Sequence, residues 1–205
     1  ALDTLNNAEK DYACDTLILS VGLIPENELA LMAGVELDSR TKGAIVDENY
    51  QTNIEGIFAA GNSLHVHDLV DFVSIEAENL AESVVDYLNN GKLPDCPLQI
   101  EPDQLVGYTV PQRISGKKDI VLSLRVRSPL KNCSLQVIQG DKLLKTQKMR
   151  KAIPAEMIRI KIKKEDLLSI ESKSIDRKSS ANRALDSRSS DNRSSENIKV
   201  VVKDE

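Results

Sequence analysis

The sequence predicts an α/β unit followed by a small all-β, sandwich-like domain. Three observations carry this expectation. A short all-apolar run, Ile57-Phe58-Ala59-Ala60, leads into Gly61 and then into an amphipathic helix. Beyond residue 105 the apolar pattern changes to strict alternation, the period of half-buried strands. Between the two lies a stretch with three prolines, Pro94, Pro97 and Pro102. The expected division is an α/β unit over 1–91, a linker over 92–104 and a β-rich domain over 105–205.

The elements follow in order. Residues 15–21, Asp-Thr-Leu-Ile-Leu-Ser-Val, read as a buried strand ended by Gly22 and a turn at Pro25 and Asn27. Glu28 to Ala33 reads as a short helix stopped by Gly34. Val35–Leu37 and Ala44–Val46 read as short strands around a turn at Thr41-Lys42-Gly43. Ile57–Ala60 has the uninterrupted apolar character of a parallel-sheet strand.

The following helix runs from Asp71 or Ser74 to Asn89. Ile75, Ala77, Leu80, Ala81, Val84, Val85 and Leu88 recur at three and four, as one packed face; Glu76, Glu78, Glu82 and Asp86 fill the other. Asp68 and Asp71 are candidate caps, and Asn89-Asn90-Gly91 closes the helix.

In the second unit, residues 120–127 and 157–163 alternate fully. Segments 108–114, 135–137, 143–144 and 198–202 complete five to six strands with no helix between them, which predicts an antiparallel arrangement. A Ser-rich insertion at about 171–197 repeats Asp-Arg-Lys-Ser-Ser-like units and has too little apolar surface to offset its ordering entropy, so a disordered loop is expected there.

Charge divides the same way. Residues 1–104 carry 4 Lys/Arg against 20 Asp/Glu, a balance of −16; residues 105–205 carry 23 against 12, a balance of +11. The halves suit different surroundings, or each other. The basic half lacks interleaved aromatics, and the chain has four Tyr, two Phe and no Trp, so nucleic-acid binding is not expected. No run reaches eighteen apolar residues, so no membrane span is expected. The first residues do not read as a signal peptide. Cys14, Cys96 and Cys133 are dispersed, and reduced thiols in the cytoplasm suit them best. Cys14 reads as structural, and Cys96, between two prolines, as exposed and oxidisable.

The strand–Gly61–helix unit has a chemical use. A helix amino terminus leaves N–H groups unpaired and aimed at one place, Gly61 lets a ligand approach the backbone, and Asn62 can bond hydroxyls. His65 and His67, the two histidines, sit two apart in a loop. Two ligands are too few for a metal without a third, so no metal site is expected. Loop packing is one reading of the pair; a catalytic role as proton donor or anion contact is the other.

Thr52 with Gly56-Ile57-Phe58-Ala59-Ala60-Gly61-Asn62 resembles the second flavin motif of the pyridine nucleotide–disulfide oxidoreductase superfamily. Cys14–Leu29 resembles the segment that returns the chain from the NAD(P) domain to the FAD domain. His65-Val66-His67-Asp68-Leu69-Val70-Asp71 resembles a branch associated with glycerol 3-phosphate dehydrogenase. The resemblance implies a partial Rossmann-like FAD/NAD(P)-binding fold over about residues 12–90. It also implies an FAD cofactor, with NAD(P) in a full-length parent. Gly61 and Asn62 would meet the flavin chain, and Val70, Asp71, Phe72 and Val73 would offer donors near the isoalloxazine. Asn62 stands where the family commonly has Asp. No GxGxxG occurs. The expected protein is therefore the carboxy-terminal portion of an oxidoreductase, inactive alone. Its expected partners are a missing amino-terminal FAD/NAD(P)-binding region, a small-molecule substrate and a redox partner subunit. The alternative is a non-catalytic docking module.

Overall fold

The computed structural model describes residues 12–20, 22–167 and 197–204. The Ser-rich insertion and the first eleven residues, apart from Asn197, lie outside the described residues.

Helix α1 is Glu28–Met32, and a single 3-10 turn covers Gly61–Ser63. Helix α2 is Val70–Asn90, closed by Gly91 in the left-handed region with its N–H on Tyr87 O. Eight strands follow: β1 Leu98–Pro102, β2 Val106–Val110, β3 Arg113–Ile114, β4 Ile120–Val126, β5 Leu130–Gln139, β6 Lys142–Ala152, β7 Ile158–Ile162 and β8 Ile198–Asp204. They form a five-stranded sheet ordered β3-β1-β8-β5-β6 and a three-stranded sheet ordered β2-β4-β7.

The alternating segments become strands because every second side chain enters a shared core. Leu122, Leu124, Leu135, Val137, Ile160, Ile162, Ile198 and Val200 from both sheets join one apolar cluster. Three expectations change. Residues 98–102 of the expected linker form β1, whose Leu98 and Ile100 are buried. The five-stranded sheet is mixed, since β1 pairs with β8 in parallel. The 108–114 segment divides into β2 and β3 around Pro111, which has no N–H to give a ladder.

The α/β half departs further. Residues 15–20 are not a strand, and Leu17, Ile18 and Leu19 are exposed. Phe58 makes only an isolated bridge with Gln51 rather than a parallel strand. A strand is held by its neighbours: the 57–60 run has only the short antiparallel contact with residues 50–52, through Thr52 N to Ile57 O and Ala59 N to Tyr50 O, and no parallel partner among the described residues. A smaller core, Val35, Ala44, Val46, Leu64 and Val110, joins this half to β2. Gly43 is part of it: a Cβ there would stand 1.8 Å from Leu64 O, so only glycine permits the 41–43 turn to lie on the 61–64 turn.

Helix α2 buries a different face from the expected one. Its buried residues are Glu76 and Ser83, with Phe72 and Tyr87 partly covered, whereas Val85 and Leu88 are exposed. Among the described residues no helix is long and apolar enough to cross a membrane.

Candidate functional site

The site is organised by Glu76, which the sequence pattern placed on the solvent side. Gly61, at φ 69°, donates its N–H to Glu76 Oε2 at 2.6 Å. His65 Nε2 lies 2.9 Å from Oε1, and His67 Nε2 lies 3.1 Å from Oε2. Burial by itself would raise the Glu76 pKa. The hydrogen bonds from His65 and His67, the charge on His65 when protonated, and the Gly61 N–H outweigh that and hold it down to about 2. An ionised carboxylate only accepts, so both imidazoles turn a protonated Nε2 toward it. Both Nδ1 atoms are buried without a hydrogen-bond partner among the described residues.

The loop itself is tightly held. Gly61 O accepts from Leu64 N at 2.9 Å and His65 N at 3.1 Å. Asn62 Oδ1 accepts from His67 N at 3.1 Å. The His65 ring meets His67 edge-on at 4.4 Å and Tyr108 at 5.9 Å between centroids. Arg125, on β4, donates from Nη2 to Val66 O at 2.9 Å and to Asp68, and from Nε to Tyr108 Oη at 3.0 Å. Asp68 also accepts from Met157 N at 2.6 Å. Burial raises the Tyr108 pKa, against the opposing pull of Arg125.

The predicted residues thus divide. Gly61, Asn62, His65 and His67 come together around Glu76. Val70, Asp71, Phe72 and Val73 form the first turn of α2, with Val70 and Asp71 exposed. Asp68 and Asp71 do not cap the helix; its start has no side-chain cap, and Asp68 is engaged by Arg125 and Met157 instead. Sequence reasoning missed Glu76 and Arg125. The one available signal was that Phe72, Glu76, Ser83 and Tyr87 share a helical face at spacings of four and seven.

His65, His67 and Glu76 also place one potential ligand atom each within 4.8 Å of the others. Histidines that bind metal donate their other ring N–H to a second partner. Neither Nδ1 has such a partner among the described residues, and Glu76 supplies the third potential ligand that the histidine pair lacked in the sequence.

The cysteines differ from expectation. Cys14 is exposed. Cys96 is partly covered, with Asn49 Nδ2 at 4.0 Å and Pro94 O at 3.5 Å. Burial, and then the carboxylates of Asp47 and Glu48, push its thiol pKa well up, which makes it unreactive rather than oxidisable.

Comparison with known proteins gives the site its context. Residues 1–77 match the profile of the pyridine nucleotide-disulphide oxidoreductases. The ferredoxin reductase component of a chlorobenzene dioxygenase from Cupriavidus sp. (strain PS12) is 34% identical over 61 residues. The aligned stretch is 30% of this chain and 14% of that relative. No solved structure matches the chain. It is therefore the stretch ending in the first turns of α2, with Gly61, Asn62, both histidines and Glu76, that carries the likeness to the pyridine nucleotide-disulphide oxidoreductases.

Proposed function

We propose that this chain is the carboxy-terminal portion of a flavin-dependent oxidoreductase and supplies half of an FAD site. The carrying observation is the start of α2: it has no side-chain cap, and Val70, Asp71 and Asn62 are all exposed. Unpaired N–H groups at a helix start suit an electron-rich ring edge, where they would stabilise negative charge on the reduced group. Asn62 would bond a ribityl hydroxyl, and Gly61 would leave room for the chain to pass. When bound, the flavin supplies the hydride chemistry. The protein's part is to hold Gly61 through Glu76, and to keep the candidate proton-transfer groups His67 and His65 buried behind the loop on that same carboxylate. NAD(P) would bind in the parent's remaining regions.

The branch reading, an enzyme linked with glycerol 3-phosphate dehydrogenase, is supported by the His65–Asp71 segment and by nothing else in the structure. A partner is supported by the apolar surface left uncovered: Leu17, Ile18 and Leu19, together with Val70, Val85 and Leu88 on the outer face of α2. We assign that surface to a complementary amino-terminal dinucleotide-binding region, with a redox partner subunit as a further contact. The same exposure favours the second reading, a docking module without catalysis. The exposed thiol of Cys14 suits the cytoplasm.

The test is flavin retention in the full-length protein. Asn62→Ala should lower bound FAD at equal fold content, because a ligand hydroxyl loses its partner. Unchanged FAD content would remove Asn62 from the site and leave the docking module as the better account.

A further inference from the structure

The two histidines lacked a third ligand in the sequence, and the fold supplies one from α2. The side chains of His65, His67 and Glu76 are 1%, 4% and 8% exposed, and each brings a potential ligand atom within 4.8 Å of the others. Each ring faces its own oxygen of one carboxylate: His65 Nε2 stands 2.9 Å from Oε1, and His67 Nε2 stands 3.1 Å from Oε2. Without an ion these contacts are hydrogen bonds. Two ligand atoms at about 2.0–2.1 Å from a tetrahedral zinc stand about 3.3 Å from each other. Opening each contact by a few tenths of an ångström therefore seats an ion among the three groups.

The surroundings fit a ligand set. Gly61 N–H holds the Glu76 carboxylate at 2.6 Å, and His67 N is anchored on Asn62 Oδ1 at 3.1 Å. Outer contacts of that kind fix the direction of a ligand. The unpartnered Nδ1 atoms are common to the hydrogen-bonded and the ion-bound arrangement, so they favour neither. Access is present as well. His67 and Glu76 line a cleft of about 390 Å³ beside α2, which gives an ion its way in and a fourth ligand its place. Six carboxylates line that cleft against the two bases Lys118 and Arg159, a balance that gathers cations.

We infer that His65 Nε2, His67 Nε2 and the Glu76 carboxylate bind one zinc ion, with a water from the cleft as the fourth ligand. Two imidazoles and one carboxylate are a donor set that zinc takes in open, four-coordinate sites. Magnesium and calcium prefer oxygen ligands throughout and should not compete. The site goes beyond the flavin reading and changes the part of the histidines: in the zinc-bound chain their Nε2 lone pairs hold the ion, not a moving proton.

The experiment takes the full chain without an affinity tag, strips it with EDTA, dialyses it and titrates it with zinc chloride. Long-range ¹H–¹⁵N NMR of the ring nitrogens reads the site in the unsubstituted protein, because the chain has two histidines. Saturation at one zinc per chain is expected, with both Nε2 resonances moving to the metal-bound range and no such movement with magnesium. Cobalt(II) in place of zinc should give the intense visible bands of a four-coordinate ion. His67→Gln should weaken zinc binding at least about tenfold with circular dichroism unaltered. Glu82→Gln/Asp86→Asn and Cys14→Ser change exposed residues outside the set and should bind zinc as the parent does. The inference is overturned if zinc does not saturate, if either Nε2 resonance stays in place at saturation, if magnesium moves both, or if cobalt(II) keeps the pale spectrum of its hydrated ion. It is overturned equally if folded His67→Gln binds like the parent, or if either exposed-residue variant loses binding. Should His67→Gln not fold, the ring resonances of the parent decide. None of these readouts depends on whether FAD is retained, so failure here and failure of the flavin reading are separately visible.

Discussion

Replacing Glu76 with Gln tests the centre of the site. The carboxylate accepts from Gly61 N, His65 Nε2 and His67 Nε2 at 2.6, 2.9 and 3.1 Å. An amide retains one acceptor oxygen and turns an NH₂ toward the other donors, so at least one buried donor loses its partner. The shift of the Glu76 pKa from 4.5 to about 2 corresponds to about 3 kcal/mol of stability attached to the ionised form. Because the folded-state pKa is the lower one, that stability is complete above 4.5 and is lost as pH falls toward 2. Urea unfolding followed by circular dichroism should show Glu76→Gln about 3 kcal/mol less stable at pH 7. The gap should shrink by about 1.4 kcal/mol by about pH 3.5, since only the parent carries the titrating group. A gap below about 1 kcal/mol at pH 7, or one that does not change with pH, would refute the buried ionised triad.

Other substitutions probe the supports. Arg125→Ala removes the donors to Val66 O, Asp68 and Tyr108 Oη. Amide exchange at residues 65–68 should accelerate at least tenfold, with β5 and β6 unaffected; protection unchanged in the loop would show that Arg125 does not hold it. Gly43→Ala forces a Cβ to 1.8 Å from Leu64 O, and should cost more than about 3 kcal/mol or abolish soluble expression; a near-neutral variant would contradict the turn packing. Leu122→Ala leaves a cavity at a fully buried position and should cost about 3–4 kcal/mol by the same unfolding assay. Iodoacetamide at pH 8 should modify Cys14 rapidly and Cys96 hardly at all in the folded chain; equal rates would contradict the burial of Cys96.

The second half of the fold was legible because its signals are local. Alternation over seven residues is enough to mark β4, and an Asn-Asn-Gly ending is enough to stop α2. Pairing was not legible. β1 and β8 join Ile100 to Ile198, and no short pattern states which distant strand will lie alongside or in which direction. The apolar runs at 15–20 and 57–60 read as strands from composition, yet a run becomes a strand only with a neighbour.

The site was half legible for the same reason. Gly61, Asn62 and the two histidines fall within seven residues, and their types announce a turn and titratable groups. Glu76 is eleven residues from His65 on a helix whose charge pattern points it outward, and it is drawn inward by three donors invisible to periodicity. Arg125 reaches Val66 and Asp68 across 59 and 57 residues. A long-range partner of that kind follows from the tertiary structure alone.

The most direct test of the flavin assignment is the intact mass and visible spectrum of the protein purified from its natural source. A mass well above 22.6 kDa, with oxidised-flavin bands at about 370 and 450 nm, is the result predicted here. A colourless protein of 22.6 kDa that takes up no added FAD would contradict it.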